Sequence, residues 1–226
     1  MRKHFKLLLF ISITCIIFIA FYWIYQSNHN HISYVYSDKN IVYDLENDND
    51  IQMIPQINLV GDDVDFINQE IVSFLEPYYF KENVVINYDY MVDGAILSLL
   101  VYVCDYNQMT IPEILFKSYH IDLVHNTLLT DEELLNQISL SNSDLEVIVD
   151  NGFTDYYNQS DIQDYCDYDC FIKDRVGYYS FSDDVHLFLK NHKLYAYISI
   201  HPKMEFVLYS YFMEHNFSLE VGDFYD

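Results

Sequence analysis

The sequence predicts an α+β protein: an antiparallel sheet with helices packed on one face, preceded by one transmembrane helix. Three observations carry this expectation. Residues 7–25 are an uncharged apolar run, residues 84–106 read as two strands around an Asp-Gly turn, and residues 64–78 and 130–156 show helical apolar spacing with capping signals. Only 5 Gly and 4 Pro occur among 226 residues, which argues against a turn-dense sandwich. Hydrophobic residues make up 51%, enough to build a core.

The first element is the apolar run from Leu7 to Tyr25. Nineteen residues at about 1.5 Å each reach about 28 Å, close to the hydrocarbon thickness of a bilayer. It leaves through Phe21, Tyr22, Trp23 and Tyr25, an aromatic belt suited to the outer interface. A signal peptide cleaved after Ala20 is the alternative, but no small-residue exit of the A-x-A kind is present. A lipid-bearing Cys15 lacks the usual preceding pattern in Ser12-Ile13-Thr14. Arg2, Lys3 and Lys6 precede the run and the first acidic residue is Asp38, so the N-terminus is expected in the cytoplasm. The expected layout is a cytoplasmic tip 1–6, an anchor 7–25, a polar stalk 26–50 and an extracytoplasmic domain 51–226, giving a single-pass protein of the cell membrane.

Within the domain, Ile57 and Leu59 suggest a first strand. Gly61-Asp62-Asp63 opens a helix with an aspartate as N-cap, and Val64, Ile67, Ile71, Phe74, Leu75 and Tyr78 recur at helical spacing up to Pro77. Val84–Val92 alternates, Asp93-Gly94 turns, and Ala95–Tyr106 is apolar enough for a strand buried on both faces. A further strand covers Ile114–Val124 and turns at His125-Asn126. Thr130–Glu133 and Ser141–Asp144 are capping boxes, each starting a helix, the second with Leu145, Ile148, Val149 and Tyr156 on its buried stripe. Strands at Val185–Leu189 and Leu194–Ile200, and a last one at Glu205–Met213, complete a β-α-β-β-β-α-α-β-β-β order.

Charge narrows the function. Three of the 11 basic residues precede the apolar run and all 35 acidic residues follow it, so the outer part carries about −27. That disfavours nucleic acid and anionic lipid surfaces as partners, and suits a cationic protein or plain solubility. No nucleophile-elbow, zincin, P-loop or dinucleotide glycine pattern occurs, so no catalytic residue, metal ligand or cofactor is assigned and the protein is not read as an enzyme. Ser118, His120 and Asp122 alternate along one strand, but same-face neighbours stand about 7 Å apart, too far for a relay. They are read as the solvent face of the strand. Asp161, Asp164, Asp167, Asp169 and Asp174 lack EF-hand spacing and are read as a solvated loop, with calcium as the alternative. Tyr156, Tyr157, Tyr165, Tyr168, Tyr178 and Tyr179 could stack on sugars or a protein. Cys104 reads as a buried thiol. Cys166 and Cys170 are the disulfide candidate, since they are close in sequence on the oxidising side of the membrane.

Two stretches carry a family resemblance. KSYHIDLVHNTLLTDEELL, residues 117–135, resembles a strand–turn–capped-helix signature, and VHLFLKNHKLYAYISIHP, residues 185–202, resembles a late hairpin with its proline corner. The INLVG…INQEI opening and the AILSLLVYV strand fit the same pattern. The chain thus resembles the extracytoplasmic domain shared by RsiV-type lysozyme-sensing anti-sigma factors and PdaC-type peptidoglycan deacetylases, over roughly residues 55–213. Only six residues precede the apolar run here and no deacetylase domain follows, so neither output is implied. The resemblance implies an outward-facing, sensor-like binding module of the bacterial cell envelope, engaging lysozyme or another cationic wall-associated protein. A peptidoglycan-binding module and an accessory or structural subunit of an envelope complex are the alternatives. A cleft with converging polar groups and shifted pKa values would favour an enzyme instead.

Overall fold

The computed structural model describes residues 34–42, 51–107, 113–164, 166–172, 180–199, 201 and 218–224. The expected tip, the anchor at 7–25 and the strand at 205–213 lie outside the described residues. Among those described, no helix is long and apolar enough to cross a membrane.

The fold is α+β, but it has two sheets instead of one. The larger has six strands in the order β1 (Val35–Val42), β2 (Ile51–Ile57), β3 (Val84–Asp93), β4 (Ile96–Asp105), β5 (Glu113–Asp122) and β6 (Thr127–Leu129). Neighbours are antiparallel except β2 and β3, which run parallel through Gln52 and Ile86, so the sheet is mixed. The smaller sheet is β7 (Val185–Lys190), β8 (Lys193–Ile198) and β9 (Ser218–Asp223), antiparallel throughout. β1 falls within the segment expected to be a stalk.

The reason for two sheets is in β4. Its apolar run must be covered on both faces. Leu97, Leu99, Val101 and Val103 pack with helix α1 (Asp62–Leu75) through Val64, Ile67, Ile71 and Leu75. Leu100, on the other face, packs with Phe116 of β5 and Phe188 of β7. Tyr197 of β8 closes this contact, with its ring centroid 5.4 Å from Phe116 and 6.0 Å from Phe188. The opposite face of the small sheet, through Leu187, Leu189, Leu194, Ala196 and Ile198, shares a core with α2 (Asp131–Gln137) and α3 (Asn142–Gln159). The layers therefore run helix, sheet, sheet, helix, and the helices lie on the two outer faces, not on one.

Local signals set most of these boundaries. Thr130 and Ser141 each form the expected capping box, accepting from Glu133 and Asp144 backbone N–H respectively. The N-cap of α1 is Gly61, not an aspartate; Asp63 instead accepts from the Leu128 N–H at 3.0 Å and ties α1 to β6. The first hairpin turns on Gly94 and Ala95, one residue later than expected, with Asp93 paired to Ile96. Gly94 takes φ 59°, the left-handed region that favours glycine. In the second hairpin both Asn191 (φ 54°) and His192 (φ 62°) are left-handed, as a type I′ turn requires. The two hairpin tips are joined: the Asp93 carboxylate is buried and accepts from the His192 N–H, and it lies 2.7 Å from His192 Nδ1.

Candidate functional site

A cleft of about 450 Å³ opens where the two sheets meet. β5 supplies Lys117 and Ser118, α2 supplies its first residue, Asp131, the segment leading into β7 supplies Ser182, Asp183 and Asp184, and β7 itself supplies His186. A second hollow of about 290 Å³ shares Asp131, Ser182 and Val185 with it and adds Glu132 and Asn142. The one-turn helix α5 (Phe181–Asp184) sets this wall, since its N-cap Ser180 is held by its own carboxylates: Asp184 accepts from the Ser180 N–H at 2.6 Å and Asp183 from the hydroxyl at 3.1 Å.

Behind the cleft wall lies a polar line that links the sheets. His120 is 1% exposed and Ser98 fully buried, so the expectation of a solvent face around His120 is overturned. That face of β5 meets the small sheet, and the polar residues there serve β7. Leu189 N–H donates to Ser98 Oγ at 3.0 Å, and Ser98 Oγ lies 3.0 Å from His120 Nδ1. His120 Nε2 has no hydrogen-bond partner and stands 3.6 Å from Asp131 Oδ1 on the cleft wall. Burial pushes the His120 imidazole down to about 3, against a weaker upward pull from the Leu187 backbone. Burial also pushes Asp131 up to about 6, although its side chain keeps 45% exposure. Both shifts disfavour charge, so His120 and Asp131 do not form an ion pair near neutrality.

Ser98, His120 and Asp131 thus line up in space, drawn from three elements, where the sequence offered Ser118, His120 and Asp122. Ser98 is closed to any substrate and already engaged by Leu189 N–H, so the line works as a structural bridge. The cleft itself holds His186, whose Nε2 is buried without a hydrogen-bond partner and whose pKa is pushed down to about 4, by burial first and by Lys117 second. Lys117 Nζ lies 3.7 Å from Glu70 of α1, which offsets its charge. At the far edge His201 sits between Glu113 (2.8 Å) and Asp184 (3.0 Å). The Glu113 hydrogen bond, outweighing partial burial and helped by Asp184, lifts His201 to about 9.

The other singled-out residues are placed elsewhere. Cys104 is a half-buried thiol with its pKa pushed up to about 11 by burial. Cys166 and Cys170, the disulfide candidate, are both half-buried. Other contacts fix the chain between them: Tyr157 Oη donates to the Cys166 carbonyl at 2.8 Å, and Asp167 caps the single turn α4 (Tyr168–Cys170) by accepting from Cys170 N–H. Tyr156, Tyr157 and Tyr168 pack their rings within 5.7–6.0 Å of Phe171, so they build core instead of a stacking surface. No group of three or more metal-ligating side chains occurs among the described residues. Tyr165, Asp174, Tyr178 and Tyr179 lie outside them.

No family model matches the chain, and no curated protein matches it. The fold and the cleft define a two-sheet α+β domain with carboxylate-rich walls where its sheets meet.

Proposed function

We propose that the chain is a membrane-anchored extracytoplasmic binding module of the bacterial cell surface, engaging a cationic wall-associated protein such as lysozyme. One observation supports this best: Asp131, Asp183 and Asp184 line a cleft in which Lys117 is already offset by Glu70, and Glu132 lines the hollow beside it. The net charge of −24 extends that negative potential over the molecule. The resemblance of residues 117–135 and 185–202 to a lysozyme-sensing domain points the same way. The cleft does carry converging polar groups with shifted pKa values, the feature expected of an enzyme. Its neighbouring serine is sealed, however, so no substrate reaches it, which favours binding over catalysis.

Opposite net charges speed encounter, and salt slows it, because the screening length shrinks from about 30 Å at 0.01 M to about 8 Å at 0.15 M. Titrating the full chain with lysozyme at low and physiological salt is expected to give saturable binding whose association rate falls as salt rises. No saturation at low salt would rule the reading out, as would equal binding to an unrelated acidic protein of the same charge density offered in place of this chain.

A further inference from the structure

We propose that the end of the domain carrying Val60 and Val124 rests on a lipid surface, with both side chains entering the headgroup layer of zwitterionic phospholipid. The inference rests on the membrane-anchored reading above and adds the face by which the domain meets the bilayer. Sheet topology brings the parts together. β2 runs parallel to β3, and β4 runs antiparallel to both β3 and β5, so β2, β3 and β5 all finish at one end of the sheet. β1 begins at that same end, since Val35 pairs with Ile57 and the Asn58 N–H donates to the Tyr34 carbonyl at 2.7 Å. The loops that leave β2 and β5 abut there: a Cβ placed on Gly61 would stand 3.4 Å from the Asn126 carbonyl oxygen. Beside this contact sit Val60, 89% exposed, and Val124, 71% exposed, the two most exposed large apolar side chains among the described residues.

Two exposed valines alone would be ordinary surface. The length of chain that leads to them is the second observation. The apolar run ends at Tyr25 and the first described residue of the domain is Tyr34, so only residues 26–33 lie between them. The stalk expected at 26–50 is shortened because β1 takes 35–42 into the sheet. A chain of that length reaches at most about 28 Å when fully extended. Crossing the headgroup layer takes up about 5–8 Å of it. Tyr34 is therefore held close to the bilayer; Asn58 is bonded to it, so Val60 comes with it, and Val124 follows through the contact of Gly61 with Asn126. Charge at this end permits the approach. Asp63 is engaged by the Leu128 N–H, Asp122 by the Val124 N–H and His125, and Asp93 by His192, so each faces a partner within the domain. Asp62 and Asp65, at the start of α1, stay exposed, which opposes anionic lipid and leaves zwitterionic headgroups as the fitting surface. Valine leaves no polar group unmet when it leaves water, so its entry among lipid is favourable.

The test reconstitutes the full chain in phosphatidylcholine vesicles whose acyl chains are brominated, which quench nearby tryptophan. Trp23 is the chain's one tryptophan, so wild type reports the anchor alone and each added tryptophan is read against it. The emission added by Val60→Trp or Val124→Trp is expected to be quenched at least twofold more than that added by Glu82→Trp, an exposed position just before β3 at the opposite end of the sheet. Adding Val124→Asp to Val60→Trp is expected to at least halve the quenching at 60. Both valines are exposed, so none of these changes disturbs the core. Equal quenching at 60, 124 and 82, or no effect of Val124→Asp, overturns the lipid face. Trp23 quenched while 60 and 124 are not also overturns it but leaves the anchored reading standing. Quenching at 60 and 124 with Trp23 unquenched sustains the face and removes the anchor. A chain that does not stay with the vesicles removes both.

Discussion

At the scale of single residues, burial holds the His120 imidazole down to about 3, whereas two carboxylates hold His201 up to about 9. An unfolded histidine titrates near 6.5. For His120 the folded value is the lower one, so its contribution is present above pH 6.5 and is lost as pH falls from there towards 3. For His201 the folded value is the higher one, so its contribution is complete below pH 6.5 and is lost as pH rises through 9. These two contributions together are therefore largest near pH 6.5 and decline on both sides. Thermal melts of His120→Gln are expected to show a flatter acid limb, with up to about 1.4 kcal/mol per pH unit removed for the one proton involved. His201→Gln should flatten the alkaline limb and leave the acid limb alone. Identical pH profiles for wild type and both variants would contradict the assignment.

At the scale of elements, Gly152 sits inside α3, where an isolated helix would gain about 1 kcal/mol from alanine. The structure reverses the expectation. A Cβ at Gly152 would stand 2.4 Å from Leu219 Cδ1 and 3.1 Å from its Cγ, so β9 could not dock without moving Leu219. Gly152→Ala is expected to lower stability by about 1 kcal/mol net in urea unfolding, since overpacking typically costs about 1–3 kcal/mol. A more stable variant would show that Leu219 swings aside freely. This contact was not legible in the sequence, because it joins residues far apart in the chain. What was legible is local. The two capping boxes, the stripe of Leu145 and Val149 and the hairpin at 84–105 depend on neighbours within a few residues. The cleft was not legible for the converse reason. Its walls come from β5, α2, α5 and β7, and the strand face holding His120 looks polar until the small sheet is laid upon it. β1 was missed because VYSDKNIV is no more apolar than a linker and becomes a strand only beside β2.

At the scale of the whole molecule, the polar bridges between the sheets share one property. Leu189 to Ser98, Phe116 to Ser199, Asp93 to His192 and Glu113 to His201 join residues 91, 83, 99 and 88 apart in the chain. Contacts of that span close late, after local hairpins and helices have formed. That span predicts two successive events in folding: the large sheet with α1 first, and the docking of the small sheet afterwards. A chain emerging from its N-terminus must hold Leu100 and Phe116 uncovered until the last hundred residues arrive, and that interval is when it is most open to misassembly. Stopped-flow kinetics of Ser98→Ala read this order directly. Leaving the Leu189 N–H unsatisfied should remove about 1–3 kcal/mol. If docking follows the folding barrier, nearly all of that loss appears as faster unfolding, with the folding rate changed by less than about twofold. A loss carried by the folding rate would instead place the meeting of the sheets at the start.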